Sequence, residues 1–341
     1  MRTARIKLDG HAYYHVMTHL VDGTPWMGPA EKEQFRKLMR AYETFSGLRV
    51  LTYSIMGSHA HMLLEAPERQ EVDEQEIIRR MRAIYSPQQM RERLAQWALW
   101  REQGLERVVE QDLARLRARM YDLSHYMQTL KQRYSQWYNR HASRRGTLWE
   151  QRFKSVLVEG SRNALLTMAA YIDLNAVRAG MVKDPKDYRW SGYGEALGGG
   201  QRAREGVRRL LETAGGRPVA WNTARLTYRV MLYDRGKPLG VDKNGQPIRA
   251  GIDSALVERV LREGGRLSRS QLLRCRVRYF SDSAVLGSRE FVNTVFHTHR
   301  ECFGPKRKEG ARALRFGEWD GLCGARDLRK TPLMAPSTGS G

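Results

Sequence analysis

The chain has 341 residues, room for one large domain or two ordinary ones, and 41% of them are hydrophobic, which excludes a disordered chain. Its 59 Lys and Arg against 37 Asp and Glu leave a formal charge of +22, the balance expected of a protein that meets a polyanion, most often nucleic acid. No apolar run approaches the ~18 residues of a membrane span. The start, MRTARIKLDGHAYYH, has no apolar secretory core, so no signal peptide is expected. The cysteines, Cys275, Cys302 and Cys323, are odd in number and late, which argues for a reducing compartment and against a disulfide framework.

In chain order, Ala12 to Val21 is rich in β-formers and predicts a strand. Pro29 to Phe45 predicts a helix, and Leu48 to Met56 a second strand. Gly57-Ser58 is a tight turn, and His59 to Glu65 completes a hairpin as the third strand. Residues 68–120 mix charges of both signs with Met, Leu and Trp, as in a helical insertion broken near Pro87. Ser124 to Tyr138 predicts an amphipathic helix with Ser124 as N-cap. Phe153 to Val158 is a fourth strand. Ser161 to Ala179 is a helix capped by Ser161 and stopped by Gly180. The order β-α-β-β-α-β followed by a helix predicts an α+β fold, a ferredoxin-like antiparallel sheet with helices on one face. GGGQRAREG near residue 200 has the composition of a linker. Beyond it, residues 199–330 predict a smaller, mainly helical basic region. Asp253 to Glu263, a Gly264-Gly265 break and Ser268 to Cys275 suggest a helix-turn-helix that binds DNA. The expected domains are 1–198, with the insertion at 68–120, then 199–330 and a disordered tail at 331–341.

A strand alternates its side chains between faces, so His59 and His61 point the same way. Two imidazoles on one face, next to a turn, are preset to hold a divalent cation. His11, His15 and His19 line one face of the first strand, where packing or backbone contact is the expected role. A second pair, His297 and His299, falls where the pattern is helical, so their rings splay apart. With Cys302 nearby, a zinc site is the alternative there.

Tyr171, Asn175 and Arg178 stand at i, i+4 and i+7 on the helix from Ser161 and share a face away from the apolar stripe of Leu165, Met168, Ala169, Ile172 and Ala176. A phenol near pKa 10 needs help to attack a phosphate. A divalent cation polarising that phosphate supplies it, with Asn175 able to complete the coordination. The product is a covalent phosphotyrosine, which conserves the bond for rejoining. No phosphate-binding G-x-x-x-x-G-K-[ST] loop is present. Between histidines and tyrosine, the segment LKQRYSQWYNRHASRRGTLWEQRFKS interleaves Lys131, Arg133, Arg140, Arg144, Arg145, Arg152 and Lys154 with Tyr134, Trp137, Tyr138 and Trp149. Cations hold phosphates and aromatics stack on unpaired bases, so the mixture suits single strands or hairpin tips.

SIMGSHAHMLLE resembles the histidine-hydrophobic-histidine (HUH) strand of the single-tyrosine HUH transposases. RRGTLWEQRFKS, YIDLNAVRAGMV and DYRWSGY resemble blocks of the REP-associated tyrosine transposases, in that order, over roughly residues 10–195. The resemblance implies a ferredoxin-like catalytic domain with a four- or five-stranded sheet. By match, Tyr171 is the nucleophile, and His59, His61 and Asn175 are ligands of Mg²⁺ or Mn²⁺. From the basic-aromatic segment, Lys131, Arg133, Arg144, Arg145, Trp149, Arg152 and Lys154 are expected at the DNA, with Arg178 from the tyrosine's helix face. It further implies a transposase, a site-specific endonuclease and strand transferase on single-stranded DNA with palindromic hairpins, leaving a 5′-phosphotyrosine and a free 3′-OH. A homodimer and a cytoplasmic, nucleoid-associated location are the accompanying expectations, with no membrane partner. Gly57-Ser58 stands where the family often has Pro-Asn, and Asn175-Ala176 where it usually has Asn-Pro. Three alternatives stand beside this: a replication-initiator-like nickase, a domesticated DNA-binding protein that no longer cuts, and a zinc-dependent regulator built on His297, His299 and Cys302.

Overall fold

The computed structural model describes residues 2–3, 5–233, 273, 279–314 and 319–331. After the two-residue β1 (Arg2–Thr3), the chain runs β2 (Ala12–His19), α1 (Pro29–Ser46), β3 (Arg49–Ile55), β4 (His59–Ala66), α2 (Glu74–Met81), α3 (Pro87–Glu102), α4 (Glu106–Ala118), α5 (Leu123–His141) and β5 (Lys154–Val158). It continues with α6 (Arg162–Asp173), α7 (Asn175–Arg178), α8 (Gly192–Leu197), α9 (Gln201–Gly215) and α10 (Trp221–Tyr233). Beyond these lie helices at Tyr279–Asp282 and Arg289–Thr298 and strands β6 (Val285–Gly287), β7 (Arg312–Ala313), β8 (Cys323–Ala325) and β9 (Lys330–Thr331).

Seven strands form one sheet in the order β3-β4-β2-β5-β6-β8-β7, while β1 pairs with β9. Every pairing in the large sheet is antiparallel except β5 with β6. The sequence AYYHVMTH places β2 centrally, because it is apolar on both faces and buried along all but its last residue.

One face of the sheet, with Tyr14, Val16, Tyr53, Met62 and Leu64, packs on the crossover helices α1 and α5 through Phe35, Met39, Phe45, Tyr126, Leu130 and Tyr134. The insertion extends that core through Ile77, Met81, Trp97 and Leu113. Its break at Pro87 is a helix start: Ser86 and Gln89 form a reciprocal capping box with proline at the first turn. The turn from α1 to β3 needs Gly47, whose φ of +75° is left-handed and whose missing Cβ would lie 2.7 Å from the Arg80 guanidinium.

The expectation of helices on one face is corrected. The opposite face, with Tyr13, Met17, Leu51, Leu63, Val156 and Val158, is covered by α6 and α9, with α10 packed on α9. Strands apolar on both faces require two layers of cover. The supposed linker at 200 is also corrected. Only Gly198 to Gly200 are non-helical there, and α9 follows directly, burying Ala203, Val207, Leu210 and Leu211 at helical spacing. Arg209 then clamps α9 to the sheet with two hydrogen bonds, 2.9 and 3.0 Å, to the buried carboxylate of Glu65.

The C-terminal region adds strands to its helices: β6, β8 and β7 lengthen the same sheet beyond the four or five strands expected. Val285 and Leu286 are fully buried, as a short apolar run is when its strand is paired on both sides, here by β5 and β8. The suspected helix-turn-helix at 253–275 lies outside the described residues apart from Leu273, as does the tail from residue 332. Two caps moved. Asp122, not Ser124, caps α5, its carboxylate accepting from the His125 N–H at 2.7 Å. Ser161 precedes α6 but donates its hydroxyl to Glu159 Oε2 at 2.8 Å instead of capping.

Candidate active site

His59 and His61 open β4 opposite His19 and Met17 of β2, so all four side chains share the α6 face. Their rings lie 5.2 Å apart, centroid to centroid, and perpendicular. From the other layer, α6 brings Tyr171, whose ring centroid lies 6.1 Å from that of His15 and 6.2 Å from that of His61. The long helix expected from Ser161 to Ala179 is interrupted at Leu174, so that α7 starts at Asn175. Asn175 still reaches the strand: its Nδ2 lies 3.3 Å from His59 Nε2. The two histidines, the tyrosine and the asparagine are thus brought together.

Burial sets the protonation of His61 and of His15 beside it. Desolvation holds His61 well below the ordinary histidine value, helped by His15, His59, Arg178 and His19. His15 is fully buried and pushed down to about 4, again by desolvation. A neutral imidazole carries a ligand lone pair at neutral pH. Among the described residues no three His, Cys, Asp or Glu side chains gather as a metal site. A cation here would therefore rest on two imidazoles and an amide oxygen, a donor set suited to a divalent ion. Asn175 Oδ1 now accepts from Arg178 at 3.2 Å, so coordination through it requires the amide to turn over. His297 lies in the helix Arg289–Thr298, and His299 follows its end.

Arg178 was expected at the DNA; it turns inward. Its guanidinium lies 4.1 Å above the Tyr171 ring and donates to the Tyr171 carbonyl at 2.7 Å and the Leu273 carbonyl at 2.8 Å. Phe280 closes on Tyr171 with ring centroids 4.8 Å apart. The tyrosine is left 5% exposed.

Two contributors are not evident from residue type. His15 joins the site through a 2.9 Å contact between its Nε2 and His61 Nδ1, while its Nδ1 lies 2.8 Å from the Phe280 carbonyl oxygen. Asp173, fully buried two residues after Tyr171, accepts from the Thr52 hydroxyl at 2.8 Å, the Tyr228 hydroxyl at 2.5 Å and the Tyr193 N–H at 3.1 Å. One carboxylate thereby ties the tyrosine helix to β3, α8 and α10. A lone acidic residue in an apolar helix, as in AAYIDLN, is the signal that could have found it.

The basic-aromatic segment divides. Arg133, Arg145, Arg152 and Lys154 are exposed, as is Arg140. Arg144 spreads 4.5 Å over the ring of Trp26. Trp26 stacks on Tyr138, and Trp137 stacks on His141 with ring centroids 4.9 Å apart. Trp149 is packed inward. It is 9% exposed, and its indole N–H donates to the Lys131 carbonyl and to Ser135 Oγ. Lys131 caps the same ring at 5.2 Å and donates to the Gln151 carbonyl. Burial, with Arg5 and Arg152 adding repulsion, pushes its ammonium down to about 8. Trp149 and Lys131 therefore fasten α5 to the start of β5.

No family model matches the chain, and no curated protein matches it. A solved structure described as a REP-associated tyrosine transposase bound to a REP hairpin superposes with a TM-score of 0.37 at 13% identity. It covers 59% of this chain and 87% of that one. A superposition this loose assigns neither family nor activity. Among the described residues no helix is long and apolar enough to cross a membrane.

Proposed function

We propose that this protein is a metal-dependent endonuclease and strand transferase acting on single-stranded DNA, a transposase-type enzyme with Tyr171 as nucleophile. The observation that carries this is the convergence of Tyr171 from α6 and Asn175 from α7 on His59 and His61 of β4. The order β3-β4-β2-β5, all antiparallel with α1 and α5 on one face, supports a ferredoxin-like catalytic core within the larger sheet.

In the proposed reaction the Tyr171 phenol oxygen bonds to phosphorus as the bond from phosphorus to the 3′ oxygen breaks. The phenol gives up its proton, the departing 3′ oxygen takes one up, and a 5′-phosphotyrosine remains. His59 and His61, with Asn175 once its amide has turned, would hold Mg²⁺ or Mn²⁺. When bound, the ion would supply charge to polarise the scissile phosphate. Arg178 orients Tyr171 by stacking and by holding its carbonyl, and the apolar wall of Phe280 limits water around the phenol. Strands bearing palindromic hairpins are the proposed substrates.

The His61→Ala variant is expected to lose cleavage of a hairpin-bearing oligonucleotide by about 10²–10³-fold, from the loss of several kcal/mol of charge stabilisation. EDTA treatment of the parent protein should do the same while sparing most binding. Equal cleavage by parent and variant in Mn²⁺ would remove the metal from this scheme.

Affinity is assigned to the exposed cations and to the aromatic surface of Trp26, Trp137 and Tyr138. Trp137→Ala is expected to weaken binding to single strands of any sequence by about 5- to 100-fold, the worth of one stacked base. Fluorescence anisotropy on single-stranded and duplex oligonucleotides checks this, and an equal loss on duplex would contradict base stacking.

A further inference from the structure

We infer that His15 is a positioning residue that fixes the tautomer of His61, so that His61 Nε2, and not Nδ1, bears the lone pair offered to the site. A backbone carbonyl can only accept, so the 2.8 Å contact with the Phe280 oxygen requires a proton on His15 Nδ1. His15 is fully buried, and among the described residues no carboxylate contacts its ring to stabilise an imidazolium. The ring is neutral and its Nε2 is an acceptor. The 2.9 Å contact to His61 Nδ1 then has one solution: His61 donates from Nδ1 and keeps its lone pair on Nε2. The two rings lie 20° from parallel, 5.1 Å apart, which holds the donor aimed at its acceptor. A carbonyl of the C-terminal region thus reaches, through two imidazoles, the atom that would face the scissile phosphate.

The same logic appears on the neighbouring ligand. His59 Nδ1 lies 3.2 Å from Ser58 Oγ, which can accept its proton, while Nε2 lies toward the Asn175 amide. Metal-bound histidines are generally oriented in this way, the other ring nitrogen donating to a fixed acceptor. The acceptor for His61 is the unusual part, a second histidine that is itself set by a backbone carbonyl. The tautomer follows from the contacts of the two rings themselves; only its consequence rests on the proposed metal role.

The test uses the full-length protein, selectively labelled with ¹⁵N-histidine and free of metal, in long-range ¹H–¹⁵N correlation spectra. The His61 ring should show the Nδ1–H tautomer in the parent protein. In His15→Leu it should shift toward Nε2–H, and the dissociation constant for Mn²⁺ by calorimetry should rise about 10- to 100-fold. His15→Gln, whose side-chain carbonyl can accept at the same place, should recover much of both. The inference is overturned if the parent protein shows Nε2–H at His61. It is also overturned if a folded His15→Leu, or His15→Phe should the leucine variant not fold, keeps both the parent tautomer and the parent Mn²⁺ affinity without an acceptor. Mn²⁺ binding unchanged by His61→Ala would instead defeat the proposed metal site, and the metal-free spectra would still decide the role of His15.

Discussion

Tyr171→Phe is expected to bind single-stranded DNA as the parent protein does and to lose both cleavage and covalent capture by about 10³-fold or more. The single oxygen removed is the nucleophile, and no geometry elsewhere replaces it. The ring's contacts explain why binding should survive. Arg178 stacks on the face of the ring and Phe280 packs against it, and both interactions need only the aromatic carbon skeleton. The exposed Arg133, Arg140, Arg145, Arg152 and Lys154 are untouched by the change. A gel assay on a labelled hairpin oligonucleotide, with and without protease, separates cleavage from adduct formation. If Tyr171→Phe cleaves as well as its parent, tyrosine attack is excluded and a water-mediated route takes its place.

Asp173→Ala is expected to destabilise the fold by about 3–5 kcal/mol at low pH, since it strands three buried donors that each cost about 1–3 kcal/mol unpaired. The loss should shrink as pH rises. Burial raises the Asp173 carboxyl from its ordinary 3.8 to about 6, against the opposing pull of hydrogen bonds from Tyr228, Thr52 and the Tyr193 N–H. A raised acid binds more protons folded than unfolded, so its contribution is full below pH 4 and falls as pH climbs from about 4 to 6. At about 1.4 kcal/mol per unit, the parent protein loses about 3 kcal/mol from this group across that window, and the alanine variant loses none of it. Urea denaturation of both proteins at several pH values between 4 and 7 measures the difference. A penalty independent of pH would show that Asp173 titrates normally.

The pattern of residues made part of this molecule legible. The hairpin of LRVLTYSIM and HAHMLLE has the expected register around Gly57-Ser58, with Ile55 opposite Ala60, because period-two alternation and a turn dipeptide specify it locally. The sharing of one face by His59 and His61 follows from the same alternation. The second layer of helices was less accessible. It depends on α9, whose glycine-rich approach reads as a linker, and on α6, which is buried all round and shows no polar stripe to reveal its neighbours. Segment composition placed Trp149 at the DNA, and helix-face spacing placed Arg178 there. Both types commonly serve nucleic acids, but here the chain turns them inward, to the Lys131 carbonyl and to Tyr171. His15 was hidden for another reason, since its partners, His61 and the Phe280 carbonyl, lie far away in sequence and only the sheet register unites them.

The central claim is that Tyr171 becomes covalently joined to the 5′ phosphate of cleaved DNA. Incubation of the full-length protein with single-stranded DNA from its own gene's flanks and Mn²⁺, followed by nuclease trimming, proteolysis and mass spectrometry of the peptide containing AAYIDLNAVR, measures it most directly. The account predicts a nucleotide remnant on Tyr171, absent when His61 is replaced by alanine. Cleaved DNA with no adduct, or an adduct on another residue, would contradict it.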